Sequence, residues 1–282
     1  MIDGVFVLGA GRAGRGLTRA LRASGIEVIG LHGRRAEETP DAVTAGVLPR
    51  ASASASVVIV AVRDRQLDDA LGDLASALLR PGAVILHASG SADPTGLEPL
   101  RARGHPCGTF HPLVPIANPA RAAELLRGAW IGVDGDDRAV ACGEELARRL
   151  GARALRIPPG EKPAYHAAAV FASNFATVLA SVATQLLTST GVSDDDAWGA
   201  IRALLRGAVA NLDDATAAGA LTGPIVRGDV ATVRKHLEAL KSRPETRALY
   251  IALSTAAVGL ARRAGTSNAA LGEILRALAE PR

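Results

Sequence analysis

The chain has 282 residues, 48% of them hydrophobic and 21% charged, with a formal net charge of +4. That length fits one large domain or two ordinary ones, and the composition excludes a disordered, collagenous or disulfide-stapled chain. Charge is evenly spread, at 19 Lys+Arg against 17 Asp+Glu in residues 1–160 and 13 against 11 in residues 161–282, and aromatics are 3%, so no nucleic-acid face is expected.

Residues 4–8 (GVFVL) read as a strand. Residues 12–24 read as a helix with Ala13, Leu17, Ala20 and Leu21 on one face and Gly25 as its stop, and 27–31 as a second strand. The run 57–62 (VVIVAV) is apolar throughout, as a strand buried on both faces is. A helix at 66–79 and a strand at 83–87 follow, and weaker strands are predicted at 106–110, 129–133 and 153–157 with helices between them. Residues 36–56 show no clear period, and the Ala-Ser repeats at 51–56 read as a loop. This alternation predicts an α/β Rossmann domain, a parallel doubly wound sheet, over residues 1–159. Pro158-Pro159-Gly160 breaks the pattern, and only helices are predicted beyond it, at 162–190, 194–212, 230–241, 245–264 and 268–279. Residues 160–282 therefore read as an all-α domain. Ser193 before three aspartates is a strong helix start, and Pro244 suits a first helical turn.

From Pro163 to Ser193 there is no charged residue, a stretch long enough to span a bilayer. Ser173, Asn174, Thr177, Ser181, Thr184, Gln185 and Thr188 nevertheless recur at spacings of three and four, a polar stripe that suits a helix buried in protein rather than lipid. The opening MIDGVFVLGAG has neither a positive n-region nor a cleavage-type ending. With only Cys107 and Cys142 in the chain, the expectation is a cytoplasmic protein with no membrane segment.

Gly9-Ala10-Gly11-Arg12-Ala13-Gly14 follows the first strand and opens the first helix, the context a dinucleotide-binding turn requires. Gly9 permits the tight turn, Gly11 lets the backbone approach a pyrophosphate, and Gly14 lets helix and strand pack closely. The helix start then offers unpaired N–H groups to phosphate. An NAD site places an acid at the end of the second strand, but here Leu31-His32-Gly33-Arg34-Arg35 stands there and the first acid is Glu37. Arg34 and Arg35 suit a 2′-phosphate, so NADP(H) is the expected cofactor.

Lysine is scarce, with only Lys162, Lys235 and Lys241 against 29 arginines. An ammonium can give up a proton when desolvated, whereas a guanidinium cannot. Lys162 opens the first helix after the break, where the cleft between the domains is expected, with His166 one turn later on the same face. Ser173 lies near that face and Asn174 about a third of a turn round it. Reduction of a carbonyl needs a cation near the developing alkoxide and a proton donor. Lys162 can supply both, with His166 orienting the substrate or relaying the proton. The competing reading makes Lys162 a solvated helix-start residue and His166 a core histidine.

These residues, with His87-Ala88-Ser89-Gly90, His111-Pro112, Lys162 to His166, Ala172-Ser173-Asn174 and Leu221-Thr222-Gly223-Pro224…Arg227-Gly228-Asp229, give the chain a resemblance. It resembles the short branch of the 6-phosphogluconate dehydrogenase-like oxidoreductases, which includes β-hydroxyacid dehydrogenases, pyrroline-5-carboxylate reductase and ketopantoate reductases. Within that group it is most similar to bacterial Rossmann-like proteins with an uncharacterised helical C-terminal domain. The resemblance implies Lys162 as general acid, with His166 where hydroxyacid dehydrogenases and ketopantoate reductases carry an asparagine, and Asn174 taking over part of that amide's role. It implies that Ser89 and Gly90 meet cofactor and substrate, with Val62 completing the cofactor set, and that His111 faces the same crevice. It further implies that Thr222 and Arg227 bind a substrate carboxylate, and that the helical domain forms a homodimer through the small-residue run 167–183.

The reading is thus an NADP(H)-dependent reductase of a small, ketopantoate-like keto acid, with no metal site assigned. Cyclic-imine reduction and an NADP(H) sensor without turnover are the alternatives. A deazaflavin-NADP oxidoreductase is more remote, because so few aromatics are available for a second planar cofactor.

Overall fold

A computed structural model describes residues 2–38 and 41–280. The chain divides into two compact units, residues 1–174 and 175–282.

In the first unit eight strands form one sheet among the described residues: β1 (Val5–Leu8), β2 (Val28–His32), β3 (Val43–Thr44), β4 (Val57–Val60), β5 (Val84–His87), β6 (Cys107–Pro112), β7 (Trp130–Gly135) and β8 (Arg153–Arg156). Their order is β3-β2-β1-β4-β5-β6-β7-β8. The helices are α1 (Arg12–Ala23), α2 (Leu67–Ser76), α3 (Glu98–Ala102), α4 (Ala122–Leu126), α5 (Asp137–Arg149) and α6 (Lys162–Ala172). The period of two along each strand divides the core. Val5, Val7, Ile59 and Leu86 pack with Leu17 and Leu21 of α1 and Leu146 of α5 on one face. Phe6, Val58, Val60 and Ile85 pack with Leu67, Leu71 and Leu74 of α2 on the other. Burial on both faces explains why 57–60 carries no polar residue.

Strands β2, β1, β4, β5 and β6 run parallel, so the residues following each gather along one edge of the sheet. The predicted all-parallel sheet needs one correction: β7 runs antiparallel to β6, with His111 opposite Gly132. The connection between them contains α4, only five residues long. Residues 36–56 are not wholly loop: they contain β3 and a single 3₁₀ turn at Arg50–Ala53.

The predicted helix 162–190 is two helices, broken at Ser173, and the boundary between units falls at residue 174 rather than 159. Side-chain bonds from Lys162 and Tyr165 into the sheet explain why α6 packs with the first unit.

The second unit holds α7 (Asn174–Thr188, from Phe175 onward), α8 (Asp194–Asp214), α9 (Ala217–Ala220), α10 (Pro224–Arg227), α11 (Val230–Ala239), α12 (Pro244–Arg263) and α13 (Asn268–Ala279). Ser193 caps α8 by accepting from the Asp196 N–H at 3.2 Å, and Asp229 caps α11 by accepting from the Thr232 N–H at 3.0 Å. The core packs Val233, Leu237, Val258, Leu271 and Ile274 together. The expected burial of the uncharged stretch in protein is not seen within the chain: the apolar window in Lys162–Thr188 is only 6% buried. By length and composition that stretch is able to cross a membrane, but its first turn is bonded into the sheet of the first unit.

Candidate active site

The glycine turn has the geometry its sequence predicts. Gly9 has φ +118°, and a Cβ there would strike the Ala61 carbonyl. A Cβ on Gly14 would strike the carbonyl of Gly9, so α1 packs against the turn only because Gly14 has no side chain. Nothing lies within 4 Å of a Cβ built on Gly11, and no side chain caps the start of α1 or places an acid in its first turn. Ala10, Gly11, Arg12 and Ala13 thus frame an open turn with unclaimed amides, suited to phosphate.

The Gly9 N–H donates to the His32 carbonyl at 2.7 Å, which joins this turn to the end of β2. Arg34 and Arg35 follow there, exposed and without an ion pair among the described residues. Two of the nearby acids, Glu37 and Asp41, are already engaged. Arg15 donates to the Ala10 carbonyl at 2.9 Å and pairs with Glu37 at 2.7 Å, while Arg19 grips Asp41 at 2.8 Å. The Arg19 hydrogen bond holds the Asp41 carboxyl below the usual carboxylate range. Two guanidinia are therefore left free where a 2′-phosphate would bind.

Farther along the same edge lie Val62 after β4, Ser89 and Gly90 after β5, and His111 in the last turn of β6. Ser89 Oγ accepts from the Ala92 N–H at 3.0 Å, and Ser91 donates to Asp64 at 2.6 Å. Burial pushes the Asp64 carboxyl up, but hydrogen bonds from Ser91 and Ser89 outweigh it and leave its pKa lowered.

Lys162 is 4% exposed. Its ammonium donates to the Ala92 carbonyl at 2.6 Å and to Thr109 Oγ1 at 2.7 Å, with the Ser89 carbonyl at 3.5 Å and Asp134 at 4.0 Å. Thr109 in turn donates to Asp134 at 2.9 Å and lies 3.2 Å from His87 Nε2. Burial pushes the ammonium down from its usual range against the pull of Asp134. The solvated expectation for Lys162 therefore needs correction. The ammonium ties the 89–92 loop to β6.

His166 lies one turn along α6, with its Nδ1 buried and unpartnered. Its ring meets that of His111 edge-on at 6.0 Å, and His111 Nδ1 lies 2.7 Å from the Tyr165 hydroxyl. Burial first, then the charges of His166 and Lys162, push His111 down to about 4, so its ring is neutral at pH 7. The structure thus brings Ser89, Gly90, His111, Lys162 and His166 together. Ser173 stands at the break between helices and Asn174 is exposed beside it. In the second unit, Thr222 is exposed two residues before α10, and Arg227 is its exposed last residue; Gly223 and Gly228, both with positive φ, bound the helix.

Sequence reading missed Asp64, Thr109, Asp134 and the role of Tyr165. One signal was available: alternation along 107–112 puts Thr109 and His111 on one face of a strand that is otherwise apolar there.

Two domain families match the sequence: a Rossmann-like domain over residues 3–112 and a domain of unknown function, DUF2520, over residues 129–257. No curated protein matches. Among solved structures, a Bacteroides fragilis protein described as a candidate NADP oxidoreductase is 21% identical, with TM-score 0.73 over 92% of this chain and 98% of that one. The Thermotoga maritima protein TM1727 is 23% identical, with TM-score 0.71 over 92% and 98%. The Plasmodium falciparum pyrroline carboxylate reductase with NADP bound is 11% identical, with TM-score 0.62 over 97% and 98%. At such identities the likeness is one of fold. The chain joins a Rossmann-like domain to a DUF2520 domain, in keeping with the group its motifs resemble.

Proposed function

We propose that this chain is an NADP(H)-dependent oxidoreductase that reduces a small, ketopantoate-like 2-oxo acid to the hydroxy acid. The observation that carries the reading is the open turn at Gly11 beside two unpaired guanidinia, Arg34 and Arg35. These residues fit a dinucleotide with a 2′-phosphate: the amides at the start of α1 take the pyrophosphate and the arginines take the extra phosphate. The NADP named for fold neighbours agrees with this. When bound, the dinucleotide supplies hydride.

The chain's own residues do the rest. Lys162 holds the loop that carries Ser89 and Gly90, and its charge adds a positive field beneath that loop. His166, Ser173 and Asn174 position substrate, and the exposed Arg227 binds its carboxylate. The burial of Lys162 favours one second reading, reduction of a cyclic imine. An imine nitrogen is already basic and needs no ammonium to protonate it.

Two further proposals accompany this. Leu204, Val209 and Leu212 of α8 are 70%, 62% and 54% exposed, and α7 exposes Val178 at 51%. Patches of this size call for a cover, and we assign it to a second copy of the chain. Cys107 and Cys142 are both free thiols, which suits a reducing cytoplasm.

The test is a titration of the full chain with NADPH and NADH, comparing the native protein with Arg34→Ser/Arg35→Ser. The reading expects a tenfold or greater preference for NADPH that the double variant abolishes. Equal affinities in the native chain refute it.

A further inference from the structure

The edge formed by β5 and β6 holds a histidine whose proton is placed by its neighbours. Gly132 lies opposite His111 in the antiparallel pair, and a Cβ there would collide with the Tyr165 hydroxyl. A bare position on β7 thus admits the phenol between β7 and His111. The phenol oxygen lies against Gly132, 2.7 Å from His111 Nδ1 and 3.5 Å from the His111 carbonyl. The carbonyl, at the limit of hydrogen-bond reach, is the poorer acceptor, so the phenol's proton goes to Nδ1. Tyrosine stays protonated here because burial pushes the phenol up. A neutral imidazole that accepts at Nδ1 carries its proton on Nε2.

That nitrogen is free. No described residue hydrogen-bonds His111 Nε2, and it turns toward Gly90, where a Cβ would come within 2.8 Å of it and 2.5 Å of His166 Nδ1. Two glycines, Gly90 and Gly132, therefore clear space for one cluster, at the carboxyl edge where α/β sheets bind ligands. Lys162 already donates to the Ala92 carbonyl and Thr109, and His111 Nε2 offers a second donor on the same edge.

We propose that His111 is a catalytic residue whose Nε2–H hydrogen-bonds the substrate's carbonyl oxygen as hydride reaches the carbonyl carbon, with water then supplying the proton of the hydroxyl, and that Tyr165 is the positioning residue that keeps the proton on Nε2. The proposal rests on the reductase reading. A fixed neutral donor costs no reorganisation as negative charge grows on the heteroatom, and removing one such donor lowers turnover by about a hundredfold to a thousandfold.

The experiment uses the full chain. NADPH affinity and NADPH oxidation with a panel of 2-oxo acids and cyclic imines are measured for the native protein, His111→Phe and Tyr165→Phe. ¹⁵N spectra of histidine-labelled native and Tyr165→Phe protein report which ring nitrogen is protonated. The inference expects His111→Phe to lose about a hundredfold in kcat with NADPH affinity unchanged. It expects Tyr165→Phe to lose about tenfold, and the His111 spectrum to change from the Nε2–H form to a mixture. If His111→Phe fails to bind NADPH through misfolding, the Tyr165→Phe kinetics and spectra decide. Turnover by His111→Phe within threefold of native, or a native His111 protonated on Nδ1, overturns the inference and leaves the reductase reading standing. Native protein that binds NADPH but oxidises none of it across the panel removes both.

Discussion

Replacing Lys162 by methionine separates a structural ammonium from one that works on substrate. Methionine follows the lysine side chain as far as Cε but leaves the Ala92 carbonyl, Thr109 and Asp134 without their cation. Each hydrogen bond to a charged group is worth about 1.5–3 kcal/mol, and breaking one side of a buried charge pair costs about 3–5 kcal/mol. Two effects offset part of this. Burial already pushes the Asp134 carboxyl up, so it can take a proton, and Thr109 still donates to it at 2.9 Å. The native ammonium also gives up its hydration. The expected net loss is about 3 kcal/mol of stability in the first unit, against about 0.5 kcal/mol or less for a surface lysine. The assay is urea unfolding followed through Trp130 in a Trp198→Phe background, which reports the first unit alone. A loss under about 1 kcal/mol, together with a thousandfold fall in turnover, would refute the clamp and return the ammonium to the chemistry.

Other consequences are as direct. His87 is held down to about 3 and His111 to about 4, each chiefly by burial. Both titrate near 6.5 in the unfolded chain, so their contribution is complete above that pH and is lost as the pH falls toward the folded values. Unfolding free energy should drop by about 3 kcal/mol between pH 6.5 and 5, and His87→Asn should halve the drop. A flat profile over that range would contradict their burial as neutral rings. Gly14→Val should abolish NADPH binding, since its side chain would meet the Gly9 carbonyl, whereas Gly11→Ala should fold normally and weaken binding alone. Leu204→Glu/Val209→Glu should convert a dimer to monomers by sedimentation, and an unchanged mass would place the interface elsewhere.

The local parts of this structure were legible in the residues. The glycine turn, the apolar run at 57–60 and the Ser193 cap each depend on neighbours a few positions apart, and each stands where expected. What was not legible is set by distant partners. The burial of Lys162 depends on Thr109 and Ala92, 53 and 70 positions away, which no local pattern announces. The break at Ser173 has no proline or glycine to announce it; the start of α6 is tied to the first unit and α7 runs into the second. The direction of β7 is expressed only in its pairing with β6, which the weak periodicity of 113–129 did not reveal. The uncharged stretch 163–193 also misled, because a polar stripe typical of buried helices does not itself bury the helix.

The most direct measurement is transfer of deuterium from C4-deuterated NADPH to a 2-oxo acid or cyclic imine by the purified full chain, read by mass spectrometry of the product. The account predicts a product one deuteron heavier, formed from NADPH in preference to NADH. Tight NADPH binding with no labelled product from any member of either class would contradict it.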